Sequence, residues 1–242
     1  MVRAALMLVF LANFPGDKEN HVASIHFPQI LYIWPCIVFF SWPVLLPTLA
    51  AISWARLPRL LVAIPIMLLM LASVHFNTIV HQFTLADNRH YVFYVFRLLL
   101  RYTMLKYAAV PVYFACGWLV IASIGSEAGI AAEKSAKSTR PSFVLAWFGA
   151  AFLSLATAPL VEPRYFIIPW LIWRLHVPLQ NENRPKDAED SFRRRIYDFA
   201  VRYQLFIESA WYLFINVIAG YMFLCRGFGW PQEPGKVQRF IW

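Results

Sequence analysis

Within five consecutive positions, Asp87, Asn88, Arg89, His90 and Tyr91 bring together a carboxylate, an amide, a guanidinium, an imidazole and a phenol, at the rim of an apolar run. Arg89 is the natural ligand for a phosphate, because its planar fork donates two parallel hydrogen bonds and stays charged. Asp87 would orient that fork, and His90 would donate to an anionic oxygen. The same string also reads as the start of a helix at a membrane surface, with Asp87 capping the first turn, Tyr91 anchored at headgroup level and Arg89 on ordinary lipid phosphate. Glu162 and Arg164 flank Pro163 between two apolar runs, where a local ion pair is tolerable and a lone charge is not. They serve either a tight turn or a substrate contact. Asp17, Lys18, His21 and His26 form a third group. Asp17 and His21 have the proton affinity of general bases, and a solvated loop explains them equally well. The five-residue spacing of His21 and His26 does not suit one helical face, so no metal site is expected there.

What must position these groups is a set of membrane helices. Of 242 residues, 60% are hydrophobic and only 14% charged, a bias that water does not support in a soluble domain. Apolar runs fall at about 1–13, 27–50, 59–80, 104–124, 142–160, 164–180 and 203–225. They predict a single membrane-embedded domain over 1–242, all-α and polytopic, with about six or seven spans, the first too short to cross unaided. Pro35, Pro43, Pro47, Pro65 and Pro111 lie inside runs, so kinked or re-entrant pieces are expected where neighbours satisfy the freed carbonyls. Segments 51–60, 125–141 and 181–202, the last with Arg193, Arg194 and Arg195, are basic and read as cytosolic. Alternation then gathers 16–26, 85–94, 161–170 and the tail 238–242 on the opposite face. Arg89, Arg97, Arg101 and Lys106 conflict with that assignment: either they have a dedicated anionic partner or the side is wrongly assigned there.

The net charge of +9 is the excess that retains cytosolic loops, and no nucleic-acid partner is expected. Cys36, Cys116 and Cys225 are far apart within apolar runs and suit neither a disulfide framework nor a zinc site. Phosphate-loop, dinucleotide, zinc-protease and nucleophile-elbow motifs are absent, as is an Asp-x-Asp pair for a metal-bound nucleotide diphosphate. Neither a cofactor nor a metal is therefore expected, and any sugar or phosphate donor is not a nucleotide. Trp230, Trp242, Tyr212 and Tyr221 read as interfacial or packing residues.

Four strings, GDKENHVASIHFPQILY, LADNRHYVFYVFR, PLVEPRYFIIPW and QRFIW, occur in an order and at separations that resemble the carboxy-terminal half of the dolichyl-phosphate-glucose-dependent α-1,2-glucosyltransferase family of the endoplasmic reticulum. The resemblance covers essentially the whole chain and implies part of the multi-spanning C-type glycosyltransferase fold. It implies a multi-pass protein of the endoplasmic reticulum membrane with the motif-bearing loops in the lumen. The implied reaction moves the third, terminal glucose from dolichyl phosphate glucose to the diglucosylated high-mannose oligosaccharide on dolichyl diphosphate. A β-linked donor and an α-linked product imply inversion, which needs one general base while the phosphate leaves as an anion. By this resemblance Arg89, His90 and Arg164 would steady the phosphate, and Asp87, Asn88, Tyr91, Glu162, Asp17 and His21 would join them in binding substrate.

Members place the catalytic carboxylate in a first lumenal loop near the start of a chain about twice this length. The expectation is thus of a partial architecture in which the catalytic base is not identified. A catalytically incomplete or non-catalytic lipid-binding membrane protein is the rival reading. A transporter is the third, and no inverted pair of interrupted helices supports it.

Overall fold

The computed structural model describes residues 25–50, 57–78, 80, 84–85, 87–125, 141–158, 160–178, 191–230 and 233–241. Seven helices occupy most of them: α1 Gln29–Ala50, α2 Leu60–Asn77, α3 Tyr91–Arg101, α4 Thr103–Gly125, α5 Pro141–Ala156, α6 Arg164–His176 and α7 Ser191–Cys225. A two-stranded antiparallel hairpin, β1 Gly227–Trp230 and β2 Glu233–Arg239, follows α7. The protein is an all-α polytopic membrane protein with this one small sheet appended. Helices α1, α2 and α4 and the stretch Arg194–Cys225 of α7 are long and apolar enough to cross a bilayer. At 16 and 13 residues, α5 and α6 rise about 24 and 20 Å, short of the roughly 30 Å hydrocarbon core. The expected run at 1–13 lies outside the described residues.

The apolar surface is turned outward as lipid solvent demands. On α2, Leu61 is 87% and Phe76 82% exposed, a disposition that water would penalise and acyl chains do not. The interior is built around α1, which packs against α4, α5, α6 and α7. Ile33, Ile37, Val44 and Leu45 of α1 are buried with Val120 and Ile124 of α4, Leu155 of α5 and Trp173 of α6.

Three prolines sit within α1, and the helix leaves helical geometry at Ser41 (φ −120°, ψ 18°). Pro43 has no N–H for the carbonyl of Phe39 four residues earlier. The indole of Trp211 on α7 donates to that carbonyl at 2.8 Å, while Trp170 Nε1 of α6 donates to Ser41 Oγ at 2.8 Å. The kink is thus stabilised by the neighbours the sequence called for. Trp173 Nε1 similarly donates to Val120 O of α4, and Trp147 Nε1 of α5 to Pro169 O of α6. Indoles therefore do much of the polar bridging between helices.

Cross-links collect the helix ends on one face. His26 N donates to Ala156 O at the end of α5, and Phe27 N to Asn77 Oδ1 at the end of α2. Gln29, fully buried, sends Nε2 to the carbonyls of Ala158 and Leu160 at 2.7 and 2.9 Å. The start of α1, the ends of α2 and α5 and the approach to α6 therefore share one end of the bundle. Tyr32 on the first turn of α1 meets Phe96 of α3 and Tyr113 of α4 edge to face. Thr103 precedes Tyr113 by ten residues, so α4 begins about 15 Å beyond that aromatic level. Arg101 and Lys106 lie in this projecting part, at the break between α3 and α4 marked by Tyr102. Arg101 and Lys106 thus stand at the motif-bearing end, where α3 is a short helix separate from the long apolar ones.

Candidate functional site

The site begins where the chain turns into α3. Asp87 Oδ1 accepts from Arg89 N at 3.0 Å and from Arg89 Nε at 2.9 Å, while Oδ2 accepts from Arg89 Nη2 at 2.7 Å. One carboxylate thereby fixes both the turn and the guanidinium. His90 Nε2 stands 3.6 Å from the same Oδ2. The side-chain hydrogen bond from Arg89 holds the Asp87 carboxyl below the ordinary carboxylate value, against a smaller opposing effect of burial. Asp87 does not make a side-chain cap for α3, whose N-cap is His90 and has no such bond. It is a clamp for Arg89.

The carboxy-terminal hairpin closes over this turn. Ile241 N donates to Arg89 O at 3.0 Å, and His90 and Ile241 form a parallel bridge. Tyr91 stacks on Phe240 with centroids 5.4 Å apart and planes 13° from parallel, and Phe240 also meets Phe228 and Tyr94. Trp230 packs edge-on to Phe93 of α3. At the base of the hairpin, Arg239 Nη1 donates to the carbonyls of Phe223 and Leu224, both at 2.5 Å, satisfying acceptors that the end of α7 leaves open. Gly227 faces Val237 across the strands so closely that a Cβ would collide with it, and Gly235, at φ +85°, lies in the irregular part of β2 where the register shifts opposite Gly229 and Trp230.

Between the turn and the hairpin lies an open groove of about 760 Å³. Asp87, Asn88, Arg89, Lys236, Gln238 and Arg239 supply its polar lining, and Phe223, Trp230, Val237 and Ile241 its apolar one. Asn88 is only 3% exposed, and its Nδ2 has no hydrogen-bond partner among the described residues. Such a groove can hold an anion beside hydrocarbon.

The other expected residues fall in two places. Glu162 and Arg164 form an ion pair across Pro163, with Arg164 leaning over the Tyr165 ring. They stand at the start of α6, on the same end of the bundle, beside a second cavity of about 310 Å³ lined by Cys36, Phe40, Pro163, Trp170, Tyr212 and Asn216. Asp17 and His21 lie outside the described residues. His26 is fully buried, and burial pushes its imidazole down to about 4, so it is held neutral. Among the described residues, no group of three or more His, Cys, Asp or Glu side chains converges as a metal site.

Sequence reasoning missed two groups. The first is the hairpin itself, which adds Lys236 to the groove beside Arg239 of the tail already placed on this face; its sign was the alternation Gly-Phe-Gly-Trp at 227–230. The second is a pair inside the bundle. Arg174 of α6 sends Nε and Nη2 to Glu208 of α7, each at 2.7 Å, and Tyr212 Oη donates to Glu208 Oε1 at 3.0 Å. Single charges within apolar runs were the available sign.

Comparison with known proteins follows the same segments. The family model described as the DIE2/ALG10 family matches residues 8–175. A protein of Aspergillus fumigatus named Dol-P-Glc:Glc(2)Man(9)GlcNAc(2)-PP-Dol alpha-1,2-glucosyltransferase is 40% identical, over 94% of this chain and 52% of its own length. Proteins of the same name from Emericella nidulans and Homo sapiens are 41% and 33% identical, again over 94% of this chain and over 51% and 42% of their own. The chain thus spans about half the length of the curated relatives it matches, or somewhat less. No solved structure matches it.

Proposed function

The chain belongs to the DIE2/ALG10 family, and from that membership and the groove we propose that it works in the transfer of glucose from dolichyl phosphate glucose to a dolichyl-diphosphate oligosaccharide. The product is the terminal α-1,2-linked glucose of the N-glycan precursor, made at the lumenal face of the endoplasmic reticulum membrane. The observation that carries this reading is the amphiphilic groove, in which a clamped arginine faces the same space as aromatic and aliphatic walls. A lipid-linked sugar phosphate has that character, with charge at one end of a hydrocarbon chain.

In this reading Arg89, steered by Asp87, and His90 neutralise the charge that develops on the phosphate as the glucosyl bond breaks. Arg164, steered by Glu162, binds a second anionic or sugar group on the same end of the bundle. Asn88 contributes its buried amide and Tyr91 its stacked ring to substrate binding, and Asp17 and His21 belong to the same substrate-facing set. Asp87 is a poor proton acceptor because Arg89 holds it in its ionised form, so its role is to orient and not to act as base.

The test is transfer of labelled glucose from dolichyl phosphate glucose to the diglucosylated lipid-linked acceptor in membranes lacking the endogenous enzyme. With this chain present, a product larger by one α-1,2-linked glucose is expected, and Arg89→Ala removes it. No product from correctly inserted chain, beside an active full-length relative, refutes the transferase reading for this chain.

A further inference from the structure

We infer that Lys236, on the second strand of the terminal hairpin, is a ligand of a lipid phosphate, so that the hairpin forms a working wall of the groove and not merely its cover. The inference rests on the function proposed above and extends it to a residue outside the motif at 87–91. Charge in the groove is largely committed elsewhere. Asp87 is taken by Arg89, and Arg239 spends Nη1 on the open carbonyls of α7. Lys236 is exposed in the same groove and makes no ion pair among the described residues. A cation held there without a counter-ion calls for an anion.

Two further features narrow the anion. Asn88 lines the groove with a buried Nδ2 that has no acceptor among the described residues, a donor whose desolvation is repaid only when an oxygen is bound. Phe223, Trp230 and Val237 give the groove an apolar side continuous with the end of α7, where hydrocarbon would run. A phosphate ester of a lipid meets all three demands: oxygens for Lys236, Arg89 and Asn88, and a chain for the aromatic wall. Lysine suits this position as a compact point charge that follows the phosphate as the ester shifts, while Arg89 fixes orientation by its fork. The lipid is either a polyprenyl phosphate or an ordinary anionic phospholipid.

The 242-residue chain in phosphatidylcholine nanodiscs is titrated with farnesyl phosphate, farnesol and phosphatidylglycerol, with binding read by native mass spectrometry. Lys236→Ala is expected to weaken farnesyl phosphate at least tenfold and Lys236→Arg less than threefold, while farnesol binding stays the same. Displacement of farnesyl phosphate by equimolar phosphatidylglycerol would support the ligand role and assign the phosphate to bulk lipid. No displacement would support it and assign a polyprenyl carrier. Binding of farnesyl phosphate to a folded Lys236→Ala chain within twofold of the unmodified protein overturns the inference, as does an equal loss for farnesol. Glucose transfer plays no part in this readout. Lys236-dependent binding without transfer would count against the proposed function alone, and transfer without Lys236 dependence against this inference alone.

Discussion

Removing one partner of the Arg174–Glu208 pair should cost the bundle more than removing both. The two side chains are 18% and 8% exposed and meet through two hydrogen bonds of 2.7 Å, with Tyr212 adding a third to the carboxylate. Arg174 lies ten residues into α6, about 15 Å from the motif-bearing end, where little water reaches it. Breaking a buried pair by deleting one member costs about 3 to 5 kcal/mol, because the survivor keeps its charge without compensation. Membrane references soften polar effects, and a measured loss near 3 kcal/mol is expected for Glu208→Leu or Arg174→Met alone. The double change Arg174→Met with Glu208→Leu fills similar volume without charge and should fall within about 1 kcal/mol of the starting protein. Thermal unfolding of the four proteins in one detergent closes the cycle. Single losses below about 0.5 kcal/mol, or a double loss equal to their sum, would refute the claim that these groups compensate each other.

Two further perturbations test the fold that carries the site. His26 is held neutral at about 4 against an ordinary value of 6.5, so the unfolded chain binds a proton first as pH falls. Its contribution is intact above about 6.5 and declines from there down to about 4; melts at pH 7 and pH 5 should differ by about 2 kcal/mol, and replacement of His26 by Gln should flatten that difference. Gly117 of α4 would place a Cβ 3.2 to 3.3 Å from the Trp34 ring, which stacks on Phe148 and meets Trp147, and so has little room to move. Gly117→Ala should cost about 1 kcal/mol and Gly117→Leu about 3 kcal/mol in the same melts, with helix content retained.

Hydropathy made the spans legible because lipid acts on composition alone: the runs at 27–50, 59–80, 104–124 and 142–160 are α1, α2, α4 and α5 to within a few residues. It located α6 but extended it to 180, beyond the helix end at His176. It missed the first turns of α7, where Arg194, Arg195, Asp198 and Arg202 are helical yet too polar to register as a span. The cluster at 87–91 was legible as residue types, and the Asp87–Arg89 clamp follows from a two-residue spacing. Its partner was legible only as the tail 238–242 on the same face; the strand pairing that brings residues 233–241 against it is a long-range contact that no local pattern records. The same holds for Arg174 and Glu208, which are solitary in sequence and become a pair only when α6 packs on α7.

The arrangement also separates two tasks that an inverting glycosyl transfer must perform. Among the described residues, the two carboxylates of the motifs, Asp87 and Glu162, are each bound to the arginine two residues later. The Asp87 carboxylate, held in its ionised form by Arg89, orients a cation well and takes a proton badly. A guanidinium so oriented, in turn, keeps its direction before substrate arrives and loses little entropy on meeting a phosphate. In the function proposed above, the repeated Asp-x-Arg and Glu-x-Arg arrangement suits this end of the bundle to anions. In the transfer proposed above, proton abstraction from the acceptor hydroxyl falls to a group other than Asp87. In the groove, charge, buried amide and apolar wall come from the turn at 87–91, the end of α7 and the hairpin, held in register by the Tyr91–Phe240 stack and the Arg89–Ile241 hydrogen bond. Loosening either contact should weaken phosphate binding without touching a single phosphate ligand.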